Sequence, residues 1–108
     1  MMKTMIAAGV PVALGSDGPI NPYLNVMFAS INANNPAEAM TREQAVSAYT
    51  LGSARAEHME GQKGTLAPGM LADLAILSQD IFTAPPDALP ATLSVLTLVG
   101  GRIVHERK

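Results

Sequence analysis

Val10-Pro-Val-Ala-Leu14 followed by Gly15-Ser-Asp-Gly-Pro19 is the stretch on which the predicted fold depends. The apolar run predicts a short buried strand, and Asp17 places a carboxylate just past its carboxyl end. α/β barrels and open α/β sheets carry their functional groups at that end of their strands. Asp17 is therefore the candidate functional residue, as a metal ligand or as the group that takes a proton from a metal-bound water. The alternative is a turn aspartate that accepts hydrogen bonds from nearby backbone N–H groups.

The composition of this 108-residue chain excludes several classes of function. Nearly half of the residues (48%) are hydrophobic, enough for a core, but only 15% are charged, which is low for the surface of a free monomer. A net charge of -2 with scattered Lys and Arg gives no electrostatic basis for binding nucleic acid. The lack of cysteine excludes disulfides and thiolate metal sites. No signal peptide or membrane-spanning run is evident, so we expect a soluble, cytoplasmic protein.

Two helices are predicted on either side of the apolar run. Residues 3–8 form the last turns of one helix, which Gly9 ends as a left-handed cap. The other begins at Asn21, a capping residue, and at Pro22, which suits the first helical position. Its apolar residues follow the spacing i, i+3, i+4 and i+7, and they are Leu24, Met27, Phe28 and Ile31.

A third helix has the strongest start signal in the chain, a capping box formed by Thr41 and Gln44. We expect this helix to continue to about Glu60 and to stop at Gly61. Small side chains in its second half would let a neighbouring element pack closely, and these residues are Gly52, Ser53, Ala54 and Ala56.

The composition changes after Gly61, where a β-rich segment begins. Residues 72–77 predict a buried strand. Asp73 at its start is expected to fix a turn by accepting backbone N–H groups. Arg55, in the helix with small side chains, could form an ion pair with this aspartate.

The last part of the chain predicts a loop and a hairpin. Residues 84–90 contain three prolines and predict an extended surface loop. Residues 93–99 and 102–105 predict two strands, and the Gly100-Gly101 pair between them is a two-residue hairpin signal. We therefore place a domain boundary near residue 61, with an α/β part before it and a β-rich part after it.

Three stretches, in the expected order, resemble the carboxyl-terminal end of the metal-dependent amidohydrolase superfamily, and most closely its amidohydrolase family 3. Residues 8–17 look like the final barrel strand with its metal-site aspartate. Residues 41–56 look like the helix that follows the barrel. Residues 60–77, which include Lys-Gly-Thr-Leu-Ala-Pro-Gly-Met-Leu-Ala-Asp-Leu-Ala, together with residues 99–104, are similar to the small β-sandwich.

The resemblance implies an α/β fold in two parts. Residues 1–61 would be the last strand and helices of a (β/α)8 barrel, and residues 62–108 would be part of a β-sandwich built from both ends of a longer polypeptide. An unpartnered barrel strand leaves backbone groups unpaired. We therefore expect completion by self-association into a homo-oligomer, or by the missing amino-terminal barrel portion.

The resemblance also implies hydrolysis of amide-type C–N bonds with one or two divalent metals, most often zinc. The family's ligands are a His-x-His pair, a carboxylated Lys or an acidic residue, two further histidines, and the aspartate after the last strand. Only that aspartate has a counterpart here, Asp17. His58 and His105 match no family ligand, and we expect them to be an exposed helix-end residue and an edge-strand residue. The isolated chain is therefore predicted to bind no metal tightly and to be inactive.

Three functions remain open from the sequence. The chain could be a fragment of a metal-dependent hydrolase that acts on C–N bonds. It could instead be a stand-alone oligomerisation or interaction module with a vestigial site. It could also be a small-anion binding domain that uses the helix N–H groups of residues 22–24. In a complete enzyme Asn21 and Asn25 could contact substrate, although roles in capping and on the helix surface are the simpler interpretation.

Overall fold

The computed structural model describes residues 1–18 and 20–108. Four α-helices occupy the first half: α1 (Met2–Ala7), α2 (Pro22–Ile31), α3 (Arg42–Ser47) and α4 (Ser53–Ala56). A π-helical turn (Ala48–Gly52) joins α3 to α4, and short 3-10 helices span Pro36–Glu38 and Pro86–Ala91. Three strands follow: β1 (Leu74–Leu77), β2 (Ser94–Val99) and β3 (Arg102–Glu106). No helix among the described residues is long and apolar enough to cross a membrane.

The predicted helix starts and stops are confirmed where side chains specify them. Gly9 follows α1 with a φ of +79°. The Asn21 side chain accepts hydrogen bonds from the N–H groups of Tyr23 (3.1 Å) and Leu24 (3.2 Å). The capping box at the start of α3 is complete, because Thr41 and Gln44 each accept a 3.0 Å bond from the other's backbone N–H. These signals act within a few residues, so the sequence alone specifies them.

The prediction of a strand at residues 10–14 is wrong. This segment has no regular secondary structure, with Val12 and Leu14 half-buried and their neighbours exposed. A strand needs a neighbour for its hydrogen-bond ladder, and the strands of this chain form a separate sheet. The segment bonds to a helix instead, through Leu14 N–H to the Ala48 carbonyl at 3.1 Å.

The third predicted helix is shorter than expected and contains a π-helical turn. Helix α4 ends at Ala56 rather than near Glu60. The chain turns because His58 adopts a left-handed φ of +58°, and Met59 N–H bonds to the Ala54 carbonyl at 2.8 Å. This pattern is a helix-ending motif that usually carries glycine at the left-handed position, and a histidine there does not indicate it.

The buried face of α2 differs from the predicted stripe. Val26 and Ala29 are the buried residues of this helix, whereas Phe28 is 59% exposed and Ile31 39% exposed. The reason is tertiary, because α2 packs against α3 and the 3-10 helix Pro86–Ala91. Those contacts select a different face from the one that the apolar spacing favoured.

The predicted surface loop at residues 84–90 is also wrong. Its residues lie largely in the 3-10 helix Pro86–Ala91, in which Leu89 is fully buried. The fixed φ of proline is compatible with the 3-10 conformation. The Arg42 guanidinium holds the residues just before this helix, because it donates hydrogen bonds to the carbonyls of Ile81 (2.7 Å) and Ala84 (2.9 Å).

The sheet is antiparallel with the order β1-β2-β3. The hairpin prediction is confirmed, because Gly100 and Gly101 connect β2 to β3 with φ values of +58° and +80°. The Asp73 carboxylate accepts a 2.8 Å bond from Gly100 N–H, which confirms its predicted role in fixing a turn. The prediction that β1 is buried is wrong, since Ala75 and Ile76 are exposed.

The hydrophobic core crosses the predicted boundary at residue 61. Its buried members come from both sides and are Val26, Ala29, Met40, Ala45, Ala48, Ile81 and Leu89. Among the described residues, Leu77 is the one sheet side chain that packs against this cluster. The core therefore belongs to the helices and the 3-10 segment, and the sheet lies beside it.

Candidate functional site

Asp17 is exposed, in a bend that follows the half-buried Leu14. The hydroxyl of Ser16 accepts the Gly18 N–H at 3.0 Å, so serine performs the turn-fixing role that was the alternative for Asp17. Within residues 1–18 and 20–108, the Asp17 carboxylate has no hydrogen-bond or ion-pair partner. Pro19, expected to complete this loop, lies outside the described residues.

The segment before Asp17 is hydrogen-bonded to the helical stretch that contains Ala48 and Ser53. Leu14 N–H donates to the Ala48 carbonyl (3.1 Å), and the Ser53 hydroxyl lies 3.1 Å from the Leu14 carbonyl. The close contact requires Gly52, because a Cβ there would lie 2.2 Å from the carbonyl oxygen of Val12. The predicted close packing on small side chains is thus confirmed. The role of the Ser53 hydroxyl was missed, because a serine in a run of small residues does not show where its hydroxyl bonds.

The described residues do not form a metal centre. No three His, Cys, Asp or Glu side chains among them converge on a position that could hold a metal ion. His58 is exposed at the end of α4, and His105 is exposed on the edge strand β3 with its Nε2 3.2 Å from the Ser94 carbonyl. A tetrahedral site needs three or four converging ligands, so these side chains do not fit the metal that the resemblance implies.

The asparagines near this loop have structural roles. Besides capping α2, Asn21 donates from its side-chain amide to the Pro90 carbonyl (3.0 Å). Asn25 donates to the phenol oxygen of Tyr49 (3.3 Å). Because Asn21 already accepts the N–H groups at the start of α2, the anion-binding alternative loses the donors on which it depended.

The expected ion pair between Arg55 and Asp73 is wrong, since neither residue forms a salt bridge among the described residues. Asp73 bonds to the hairpin instead. Arg55 lines two surface clefts, of about 470 and 360 Å³, that both border Pro11 and Val12. Both clefts are also lined by Gly52, so they border the contact between this segment and the helix.

The packing of the helical region shifts the pKa of Glu38 and of Tyr23. Hydrogen bonds from the hydroxyl and the backbone N–H of Thr4 lower the pKa of Glu38, and the charges of the amino terminus and Lys3 act in the same direction. Burial raises the pKa of Tyr23.

Comparison with known proteins gives consistent matches over nearly the whole chain. A model described as "Amidohydrolase family" matches residues 1–105. YtcJ of Bacillus subtilis (strain 168), whose name describes it as an amidohydrolase, is 32% identical over 117 aligned residues, which cover 97% of this chain and 22% of that protein. The N-substituted formamide deformylase of Arthrobacter pascens is 28% identical, over 98% of this chain and 21% of that enzyme.

A solved structure shows the same fold. The crystal structure of an amidohydrolase from Thermotoga maritima MSB8 matches with a TM-score of 0.70 and 23% identity, over 98% of this chain and 26% of that chain. This chain thus spans about a fifth to a quarter of the length of the proteins that it matches. Because the family match extends over residues 1–105 of 108, the chain belongs to the amidohydrolase family.

Proposed function

We propose that this chain is the carboxyl-terminal part of a metal-dependent hydrolase that acts on amide-type C–N bonds. In this proposal residues 1–61 complete a (β/α)8 barrel, residues 62–108 complete its sandwich, and Asp17 is the carboxylate that the chain supplies to the site. The other ligands of the divalent metal, zinc in our proposal, come from the amino-terminal portion. Alone, the chain is inactive.

The observation that carries this proposal is the family match over residues 1–105 combined with a span of only 22% of YtcJ. A chain that matches end to end and covers so little of a relative holds only part of that relative's site. The deformylase match supports the bond type, because removal of a formyl group from an N-substituted formamide breaks an amide C–N bond. The carboxylate of Asp17 is exposed and has no partner among the described residues, so it is free to act as a metal ligand in the complete site.

The partner in this proposal is the amino-terminal portion of the same enzyme, and the isolated chain self-associates in its absence. Cross-strand pairing places five aliphatic side chains on one face of the sheet, Leu74, Ile76, Leu96, Leu98 and Ile103. None of them belongs to the core cluster or packs against it. Ile76 is 52% and Ile103 59% exposed. A contiguous apolar face of this kind marks an interaction surface, which also favours the interaction-module alternative.

The test is complementation. The 108-residue chain is mixed with the amino-terminal portion of a matching amidohydrolase that ends before the counterpart of residue 1, and hydrolysis of an N-substituted formamide is measured with and without added zinc. We expect activity only in the mixture with zinc. Asp17→Asn in the mixture should lower the rate at least about a hundredfold, the scale on which loss of an acid–base group acts. Asp87→Asn, a change at an exposed aspartate in the 3-10 helix, is the matched control and should keep the rate.

Two outcomes would contradict the proposal. Zinc bound at one equivalent to the isolated, dialysed chain would show a complete site that does not need the amino-terminal portion. Formation of a stable mixed complex without hydrolysis would favour the interaction-module alternative. Sedimentation of the isolated chain as a monomer at micromolar concentration would separately remove self-association.

A further inference from the structure

We infer that Ser53 is a positioning residue for Asp17, and that it acts through the backbone of Leu14. The inference rests on the proposed function, since it concerns how the loop that carries Asp17 is held. The inference depends on contacts between residues 12–14 and the point where the π-helical turn ends and α4 begins, at Gly52 and Ser53.

Both polar backbone groups of Leu14 are satisfied by the helix. Its N–H donates to the Ala48 carbonyl (3.1 Å), and its carbonyl accepts from the Ser53 hydroxyl (3.1 Å). The same hydroxyl lies 3.2 Å from the Ala48 carbonyl. The single proton of the Ser53 hydroxyl is therefore shared between the Leu14 and Ala48 carbonyls. A half-buried segment with no partner strand would otherwise carry unpaired backbone groups at a cost.

The π-helical turn sets the geometry of these hydrogen bonds. Ala48 is its first residue and Gly52 its last, and Ser53 begins α4 directly afterwards. Gly52 lets the segment approach, because a Cβ there would also lie 3.2 Å from the Val12 carbonyl carbon and 3.4 Å from the Ala13 Cα. π-helical turns within α-helices frequently occur at functional sites. Here the turn lies next to the segment that leads to the candidate site.

The connection to Asp17 is short. Asp17 lies three positions after Leu14, so their Cα atoms are no more than about 11 Å apart. Gly15 directly after Leu14 is flexible, and a Cβ at this residue would contact nothing within 4 Å. The start of the loop is therefore fixed by the helix rather than by its own packing. Loss of the Ser53 hydroxyl releases one end of the loop.

The experiment uses amide hydrogen exchange in the 108-residue chain, followed residue by residue by NMR. Ser53→Ala leaves the bond from the Leu14 amide to the Ala48 carbonyl but removes the bond to the Leu14 carbonyl. Local opening of the segment then becomes easier, and the exchange rate of the Leu14 amide should rise roughly tenfold, the scale of one lost hydrogen bond. Ser53→Ala should also shift the amide resonances of residues 15–18. Ser53→Thr keeps a hydroxyl and should restore both properties. Thr50→Ala is the matched control, because its hydroxyl donates within its own helical stretch, to the Val46 carbonyl at 2.8 Å.

Gly52→Ala tests the same contact by a second route. It should accelerate exchange at Leu14 and shift residues 15–18, whereas Gly61→Ala should do neither, since a Cβ at Gly61 meets nothing within 4 Å. Exchange in β2 shows whether each variant is folded. Unchanged exchange and resonances at residues 14–18 in folded Ser53→Ala would overturn the inference. A wild-type mixture without hydrolysis, with the exchange effect present, would overturn the proposed function and leave Ser53 as the residue that holds this loop.

Discussion

The helical region of this chain buries apolar side chains in a core, whereas the sheet leaves apolar side chains exposed on one face. In the helical region Ala45 and Leu89 are fully buried, and the 3-10 helix Pro86–Ala91 returns from the second half of the sequence to close the core. In the sheet, Leu77 reaches that core, while Ile76 beside it in β1 faces the other way and is 52% exposed. A region that closes its own core can keep its structure alone, whereas a region with an open apolar face depends on a partner.

The same difference appears at the backbone. Leu14 has no strand beside it, but its N–H and carbonyl both bond to the helical region. On the sheet, β3 has a partner on one side only, and its five residues are all exposed. The helical region therefore satisfies the backbone groups of Leu14, and the sheet keeps a free edge. Three pairs of substitutions test this difference between the two regions.

The largest effect is expected from Leu89→Ala. The side chain is fully buried against α2, and truncation of a buried leucine costs about 2–5 kcal/mol in the free energy of unfolding. Urea unfolding followed by circular dichroism measures the change. Leu66→Ala, at a leucine that is 73% exposed, should change the free energy by less than about 0.5 kcal/mol. Equal effects of the two variants would mean that the 3-10 segment does not close the core.

A smaller effect is expected from neighbouring residues in β1. Leu77→Ala removes a side chain that packs against the core, and Ile76→Ala removes one from the open face. Leu77→Ala should lower the free energy of unfolding by about 1 kcal/mol more, since roughly half of a buried side chain's contribution is involved. Ile76→Ala also loses the strand preference of a β-branched residue, so a larger effect of Leu77→Ala reports packing. A loss for Ile76→Ala that exceeds the loss for Leu77→Ala would contradict this expectation.

The smallest effect concerns pH at the edge of the helical region. Thr4 donates two hydrogen bonds to the Glu38 carboxylate, joining α1 to the 3-10 helix Pro36–Glu38 and lowering the pKa of Glu38. A carboxyl group with a lower pKa in the folded state stabilises above its unfolded pKa, and this stabilisation is lost as the pH falls through its folded pKa. The melting temperature should therefore fall with acidification in the wild type. Glu38→Gln should flatten that fall, whereas Glu60→Gln, at an exposed glutamate, should leave it unchanged.

The sequence was most informative where the relevant interaction is local. The Asn21 cap, the capping box of Thr41 and Gln44, and the Gly100-Gly101 hairpin all appear as predicted. Each depends on hydrogen bonds or backbone angles within a few residues. The place of Asp17 shortly after the apolar run is likewise a local feature, so the sequence shows it directly. Its role as a metal-site residue stays a prediction, because no partner ligand converges on it among the described residues.

The sequence was least informative where two distant segments meet. The apolar spacing of α2 favoured Phe28 and Ile31, but the segments packed on this helix bury Val26 and Ala29 instead. The proline-rich residues 84–90 suggested a surface loop, and the burial of Leu89 depends on a helix more than fifty positions earlier in the chain. The apolar spacing or the composition of one segment does not specify which distant surface that segment packs against.

The sequence alone was enough to predict the helix caps, the Gly100-Gly101 hairpin and the family resemblance, because these depend on residue types at short spacing. Contacts between distant segments determine that residues 10–14 bond to a helix instead of a strand and that the sheet keeps an open face. These outcomes depend on which segment lies next to each backbone group and apolar surface, and the residue spacing within one segment does not encode that neighbour.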